Sequence, residues 1–357
     1  MNVAVRRFEK PDAESWDRLV AESWNGTFLH TRRFLSYHGE RFQDLSVILE
    51  TKRARIAGVF PAALDPAREE VVVSHPGLTF GGLVHNGSLR GSMMLEALRA
   101  IVRAYRTMDL RFLRYKVVPY IYHRVPTADD LYALFQLDAI RQRCDLSAAI
   151  DLTFRQKPSK LRRRDLNRAR RSGVQVASGP SYLEPFWVVL EENLAARYDA
   201  RPTHTLEEIT RLQEMFPEKI KCIVGKVEDE VVAGVVLFHT PKVVHVQYAA
   251  STSKGNAVGA QTGVVEHAIE KGKDWRARYF DFGISTEGEG RVLNEGLHRF
   301  KGSFGAGSVA HEFYELDLIR VARRRPERGD RCVTRPPKAT EESPSSGKSG
   351  VAGTSSS

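Results

Sequence analysis

Apolar and polar positions change their period several times along the chain. "KCIVGKV" (221–227) and "VVAGVVLFHT" (231–240) are β-rich runs across the polar turn "EDE", the pattern of a hairpin. In "VVHVQYAAS" (243–251) the residues Val243, His245 and Gln247 alternate onto one face, as in a half-buried strand. After the turn "TSKGNAVG", Val264, Val265, Ala268 and Ile269 recur at helical spacing. A further strand is expected over 278–283 and a last one over 308–318, "SVAHEFYELDL". Upstream, 181–198 and 206–216 fit amphipathic helices. The order is helix, helix, three antiparallel strands, helix, strand, helix-like loop, strand.

The first half carries a rougher copy. "PDAESWDRLVAES" predicts a helix, "DLSVILETKRARIAGVFPAAL" a hairpin across "TKR", and "EEVVVSHPG" a third strand. "SLRGSMMLEALRAIVRAYRTM" predicts a long helix and "LRFLRYKVV" a strand. Each half places "AG-V" just after a charged hairpin turn, at Ala57-Gly58-Val59 and at Ala233-Gly234-Val235. A duplicated unit follows, divided as 1–150 and 151–320. From 321 to 357, Pro, Ser, Gly and charge replace periodicity, which predicts a disordered tail.

Composition narrows the class. A chain of 357 residues, 42% hydrophobic and 27% charged, has the balance of a soluble globular protein with room for two cores. No apolar run approaches the roughly 20 residues of a membrane span, and the N-terminus lacks the apolar stretch of a secretory signal, so a cytoplasmic location is expected. Cys144, Cys222 and Cys332 are isolated and read as inert thiols. The net charge of +10 is local: 155–171, "RQKPSKLRRRDLNRARR", contributes +8 and 323–357 a further +4. On a helix over 157–171, Lys160, Arg164, Arg168 and Arg171 form one stripe, widened by Arg163, Asn167 and Arg170. Such a stripe suits tRNA phosphates, the diphosphate of a sugar nucleotide, or simply water at a domain junction.

The densest candidate chemistry is 280–307, "FDFGISTEGEGRVLNEGLHRFKGSFGAG". A strand runs into a polar loop holding Asp281, Ser285, Glu287 and Glu289, then a helix-like run with Asn294, His298 and Lys301. Turn chemistry alone does not call for an asparagine, a lysine and the acids together.

The order of elements resembles the GNAT acyltransferase fold, and two copies in one chain resemble the Fem-type double-GNAT family. The resemblance spans about residues 1–318. It is carried by "GTFLHTRRFLSYHGERF" (26–42), "SHPGLTFGGLV" (74–84), "DDLYALF" (129–135), "VQYAAS" and above all "YFDFGIST…LNEGLHRFKGSFGAG". It implies an α+β protein of tandem GNAT domains, with mixed central sheets flanked by helices. It further implies an aminoacyltransferase that joins an amino acid from aminoacyl-tRNA to a small amine, a cell-wall precursor or a streptothricin-type amino-sugar antibiotic. By the same resemblance Lys301 serves the acceptor end and the developing charge. Its own setting reads as an exposed loop, so its loss would leave stability nearly unchanged. Asp281 would accept the amine proton, and Asn294 would orient a carbonyl. His30, Arg32, Arg33 and Tyr37 would face the acceptor, while His245, Gln247, Tyr248, Ser285 and Phe300 would border the acyl group. Lys160, Arg163, Arg164, Arg168 and Arg171 would hold the tRNA.

The donor stays open between two classes. Coenzyme A enzymes cradle the pyrophosphate in [QR]-x-x-G-x-[GA] at a helix start. The matching stretch, "TSKGNAVGAQTG", keeps that signature only in degenerate form, which weakens an acetyl-CoA-dependent N-acyltransferase acting on an amino sugar of a polysaccharide. A catalytically inactive double GNAT that binds RNA or a partner is the third reading. No HExxH, Cys/His cluster, P-loop or Gly-x-Ser-x-Gly elbow is present, so no metal and no cofactor beyond the co-substrate is expected.

Overall fold

The computed structural model describes residues 3–51, 55–198 and 200–323. The first half contains β1 (Ala4–Arg7), α1 (Ala13–Glu22), α2 (Arg32–Leu35), β2 (Val47–Glu50), β3 (Ile56–Phe60), β4 (Ala63–Asp65) and β5 (Arg68–Val73). It continues through β6 (Val84–His85), α3 (Ser92–Arg106), β7 (Phe112–Lys116), α4 (Asp129–Gln136) and β8 (Ile140–Asp151). The second half opens with α5 (Lys160–Arg171), β9 (Gln175–Ser178), α6 (Leu183–Tyr198) and α7 (Leu206–Met215). Then come β10 (Ile220–Val227), β11 (Glu230–His239), β12 (Val243–Ser251), α8 (Ser253–Val258), α9 (Ala260–Asp274) and β13 (Tyr279–Ile284). It closes with β14 (Thr286–Glu287), β15 (Val292–Leu293), α10 (Glu295–Gly302), β16 (Gly307–Asp317) and α11 (Leu318–Arg323).

Ten strands form one sheet in the order β4-β5-β7-β16-β8-β13-β12-β11-β10-β9. The duplication shows in its two parallel pairs, β5 with β7 and β12 with β13; all other neighbours in it are antiparallel among the described residues. The last strand of each half crosses over: β8 pairs with β13 of the second half, and β16 pairs with β7 of the first. The division expected near residue 150 therefore falls at the end of a strand that both halves share. β1, β2, β3 and β6 make a separate four-stranded sheet.

Packing explains the repeated glycine. A Cβ on Gly234 would lie 2.3 Å from the Phe186 ring, and one on Gly58 would lie 2.9 Å from Leu89 and 3.0 Å from the Val84 carbonyl. Between Glu230 and His239, β11 is apolar without a break because both faces are covered. Val236 and Phe238 meet Phe186, Trp187 and Leu190 of α6, while Val235 and Leu237 meet Val264, Val265 and Ala268 of α9. The cluster on the α6 side continues into the first half through Leu29, Phe34 and Tyr122. Two differences from expectation stand out. The sequence pattern does not announce β8, because "AIRQRCDLSAAI" mixes charge with small residues; its register comes from pairing on both sides. The ordered chain runs on through α11, into the first residues of the expected tail, and 324–357 lie outside the described residues. The hairpin turn at 52–54 also lies outside them. Burial pushes the Cys222 thiol up to about 12, in keeping with an inert core thiol.

Candidate active site

β12 and β13 pair for three residues only, ending at His245 opposite Asp281. Beyond that register the strands part, and the carboxylate of Asp281 sits fully buried at the fork. Its Oδ2 accepts from the Tyr122 hydroxyl at 2.6 Å and lies 3.0 Å from Nδ1 of His245. Its Oδ1 accepts from the Ser147 hydroxyl and from the Gly283 amide at 2.9 Å. Burial works against this carboxylate, but the hydrogen bonds of His245 and Ser147 outweigh it and hold the group below the usual carboxylate range. With four donors around it, Asp281 is an ionised anchor, not the open strand-end acid expected from the sequence. What it anchors is the imidazole. With the Nδ1 proton pointed at Asp281, the His245 Nε2 lone pair is free of protein partners among the described residues.

Lys301 lies next to this group, but not on an exposed loop. It sits on α10, 7% exposed, and Nζ donates to the carbonyls of Gly283 at 2.9 Å and Ile284 at 2.5 Å. Burial pulls its amine down to about 8, against the opposing pull of Asp281. Gly283, at φ +75°, turns the strand end so that its carbonyl can meet the ammonium. Ser285 follows, its amide bonded to the Leu146 carbonyl at 2.7 Å and its buried hydroxyl without a partner among the described residues. Asn294 is the N-cap of α10: its Oδ1 accepts from the Leu297 amide at 3.0 Å and its amide donates to Glu287 at 2.7 Å. This capping corrects the carbonyl-orienting role expected of it. Phe300 packs edge-on to Phe304 and under Arg162.

The first-half candidates divide. His30 is enclosed, its Nδ1 3.0 Å from the Thr27 amide and its Nε2 3.2 Å from the Gly81 carbonyl, and burial pulls its pKa down to about 4. Arg32 is ion-paired with Asp44 and lies 3.8 Å over the Phe8 ring. Both are structural, so neither faces an acceptor. Arg33 is exposed and lies over Phe216. Tyr37 and Gln247, far apart in sequence, line one cavity of about 210 Å³ with Leu78, Thr79, His204 and Phe238. Tyr248 joins the same neighbourhood, its hydroxyl 2.6 Å from Nδ1 of His204.

The basic residues form one exposed row. Lys160, Arg163, Arg164, Arg168 and Arg171 all face solvent on α5. The opposite face of α5 is seated on the start of α9. Arg162 donates to Thr262 at 2.9 Å, a Cβ on Gly263 would touch that of Ala169, and one on Gly259 would lie 2.5 Å from the Asp165 carbonyl oxygen. Gly259 sits at φ +78° between α8 and α9, in the turn where the degenerate coenzyme A signature lies. The amide of Gly255 is likewise taken by the Thr252 side chain at 3.0 Å.

Sequence reasoning missed Tyr122, Ser147 and His311. His311 on β16 is buried close to Asp281 and His245, with Nε2 unpartnered among the described residues. Only the pairing of β8 with β13 and β16 brings these residues to Asp281, so no local motif marks them. No group of three or more His, Cys, Asp or Glu suited to a metal occurs among the described residues, and no described helix is long and apolar enough to cross a membrane.

Residues 153–301 match the acetyltransferase (GNAT) domain family. FemX is similar in structure, with a TM-score of 0.63 and 10% identity over 87% of this chain and 96% of that one. L-PGS from Bacillus licheniformis gives 0.58 and 14% over 89% and 96%. A tandem GNAT protein from the clavulanic acid biosynthesis pathway gives 0.50 and 12% over 89% and 99%. No curated protein matches the chain in sequence. At these identities the structural likeness is one of fold. The chain thus has a Fem-like double-GNAT fold, and its residues 153–301 match the acetyltransferase (GNAT) domain family.

Proposed function

We propose that the protein transfers an aminoacyl group from aminoacyl-tRNA to the amine of a small acceptor, forming an amide. The observation that carries this reading is the seat of α5. Its backbone lies against Gly259, where a coenzyme A enzyme would open its pyrophosphate cradle, and its other face presents the cationic row. One helix thereby covers the place of one donor and offers phosphate contacts to the other.

The chemistry then runs through the fork. The acceptor amine attacks the ester carbonyl carbon, and a C–N bond forms as charge moves onto the carbonyl oxygen. His245 Nε2 takes the amine proton, its ring held by Asp281, which is in turn fixed by Tyr122 and Ser147. The remaining N–H of Lys301 stabilises the oxyanion in this reading. Collapse breaks the C–O ester bond, and the proton passes from His245 to the departing ribose hydroxyl. The cavity at Tyr37 and Gln247, the latter two residues beyond His245 on β12, suits the acceptor.

The second reading, an acyl-CoA-dependent N-acyltransferase, is favoured by the family match itself. Labelled aminoacyl-tRNAs and, separately, labelled acetyl-CoA, each with a panel of amines, decide between them. Transfer that requires acetyl-CoA and survives RNase overturns the tRNA reading.

A further inference from the structure

The geometry points to the polar cleft between β4, β5, β7, β8, β16 and the turn 288–291 as a binding site for a phosphate or diphosphate group carried on a small molecule. The cleft has a volume of about 380 Å³ and is lined by Arg68, Arg114, Lys116, Arg143 and Arg291. Asp65, Glu289 and Glu315 lie among them, and Glu70 and Asp145 pair with Arg68 and Arg143, so the charges balance in number, but Arg114 and Arg143 crowd Lys116 with like charge. Like charges gathered in a concave site repel, and a bound dianion relieves that repulsion.

Arg68 is paired with Glu70, at 3.0 and 3.2 Å, whereas the carboxylates that line the cleft hold Arg114 and Arg68 only loosely. Arg114 approaches Asp65 at 3.3 Å and Glu315 at 3.8 Å, and Arg68 reaches Glu315 at 3.5 Å. Elsewhere in the molecule Arg155 meets Glu266 through two bonds of 2.7 and 2.9 Å, as a committed pair does. Arg143 spends only its Nε on Asp145, at 2.7 Å, while its guanidinium lies 4.7 Å from the Phe313 ring centroid. Arg291 has no ion-pair partner among the described residues. Lys116 is 6% exposed, and its Nζ donates to the His75 and Leu78 carbonyls, which leaves one N–H for the cleft. Burial, with Arg143 and Arg114 nearby, pulls its amine down to about 7, so an anion would draw a proton onto it.

The shape selects the ligand. A cleft of this volume holds one or two phosphates, not the backbone of a nucleic acid helix. Donors converging from three strands and a turn suit a tetrahedral dianion better than a flat carboxylate, which one arginine fork would satisfy. The site is separate from the fork: Arg143 and Ser147 are four residues apart on β8, about 13 Å at the rise of a strand.

Isothermal titration calorimetry of the full chain at pH 7 and low salt tests this without any acyl donor, so a failed transfer reaction does not bear on it. Pyrophosphate should bind at one saturable site with a proton uptake that depends on Lys116, read from two buffers of different ionisation enthalpy. Lys116→Met should shift the linked proton exchange towards release, and it and Arg143→Gln should each weaken binding about tenfold or more. Arg291 is exposed, so Arg291→Ala keeps the fold and should still weaken binding several-fold, whether or not Lys116→Met folds. The pair Lys160→Ala and Arg164→Ala on α5 should leave pyrophosphate binding at this cleft unchanged. Tighter binding of a nucleoside diphosphate than of pyrophosphate assigns the group to a nucleotide-linked molecule, and weaker binding to a simpler phosphate ester. No saturable pyrophosphate binding at millimolar concentration, or equal loss in the α5 pair, overturns the proposal. So does RNA binding that is lost in Arg291→Ala while pyrophosphate does not bind.

Discussion

The Tyr122 hydroxyl donates to Asp281 at 2.6 Å across 159 residues of sequence, so a side chain from the first half completes the buried anchor of the second. The same hydroxyl lies 3.1 Å from His245 Nδ1. The fork between β12 and β13 is therefore built by both copies of the duplicated unit, and neither half alone has its full set of donors.

Tyr122→Phe removes one donor from a buried carboxylate and leaves the ring packing against Phe80. It should cost about 1–3 kcal/mol of stability, read by denaturant unfolding. If Asp281 acts by orienting His245, turnover should fall while KM moves little. In a double-mutant cycle with His245→Gln the two losses should not add. Additive effects would separate Tyr122 from the imidazole.

Lys301→Met should lower kcat by roughly 10²–10³ if the ammonium stabilises charge that appears only in the transition state. Stability should fall too, by about 1–3 kcal/mol, because the Gly283 and Ile284 carbonyls lose their donor in a buried place. Turnover near that of the unaltered protein would reduce Lys301 to a strap between α10 and β13.

The same residue sets a pH limb. Its amine is pulled down to about 8, so the charged fraction, and with it kcat, should decline as pH rises through about 8. Lys301→Arg keeps its charge at any accessible pH, and whatever activity it retains should lack that alkaline decline. A profile that stays flat to pH 9.5 in the unaltered protein would count against a catalytic ammonium.

Replacing Lys160, Arg164, Arg168 and Arg171 with Ala should leave folding intact, since all four are exposed. The slope of log affinity for tRNA against log salt should shrink by about 0.7–0.9 for each phosphate that is no longer neutralised. Gly259→Ala should do the reverse, sparing the charge but unseating α5. Its φ of +78° and its approach of 2.5 Å to the Asp165 carbonyl oxygen admit no Cβ, and the melting temperature should fall.

Acid should destabilise the fold in a defined window. Burial pulls His30, His38, His85 and His204 down to about 4 and His75 to about 3. The unfolded chain takes up protons below its histidine pKa of about 6.5 while the folded one does not, so stability is lost as pH falls from about 6.5 towards 4. Melting temperatures across pH 4–8 check this, and a flat curve between 4 and 6.5 would contradict it.

Much of the second half was legible because its signals are local. The β-rich runs of β10 and β11, the alternation in β12, the helical spacing in α9 and the "DFG…NEG…FKG" stretch each depend on residues within a few turns of one another. Hairpins and single helices are decided by such short-range patterns. The position of Lys301 beside Asp281 was likewise contained in one motif, and the exposed row on α5 in one helix. Their surroundings were not. Whether Lys301 was exposed or buried depended on where α10 packed, and Asn294 was drawn from the reaction to the cap of that helix. His30 and Arg32 looked like acceptor ligands until Gly81 and Asp44 occupied them. Tyr122, Ser147 and His311 reach Asp281 only because β8 and β16 cross between the halves, and Lys116 and Arg143 meet for the same reason. Pairing partners far apart in the chain carry no periodic trace, since closing so long a loop is a property of the whole folded molecule. The sequence by itself determined the repeated unit, its element order and the basic helix; the tertiary structure decided which polar groups face one another, because only packing determines which are left for chemistry.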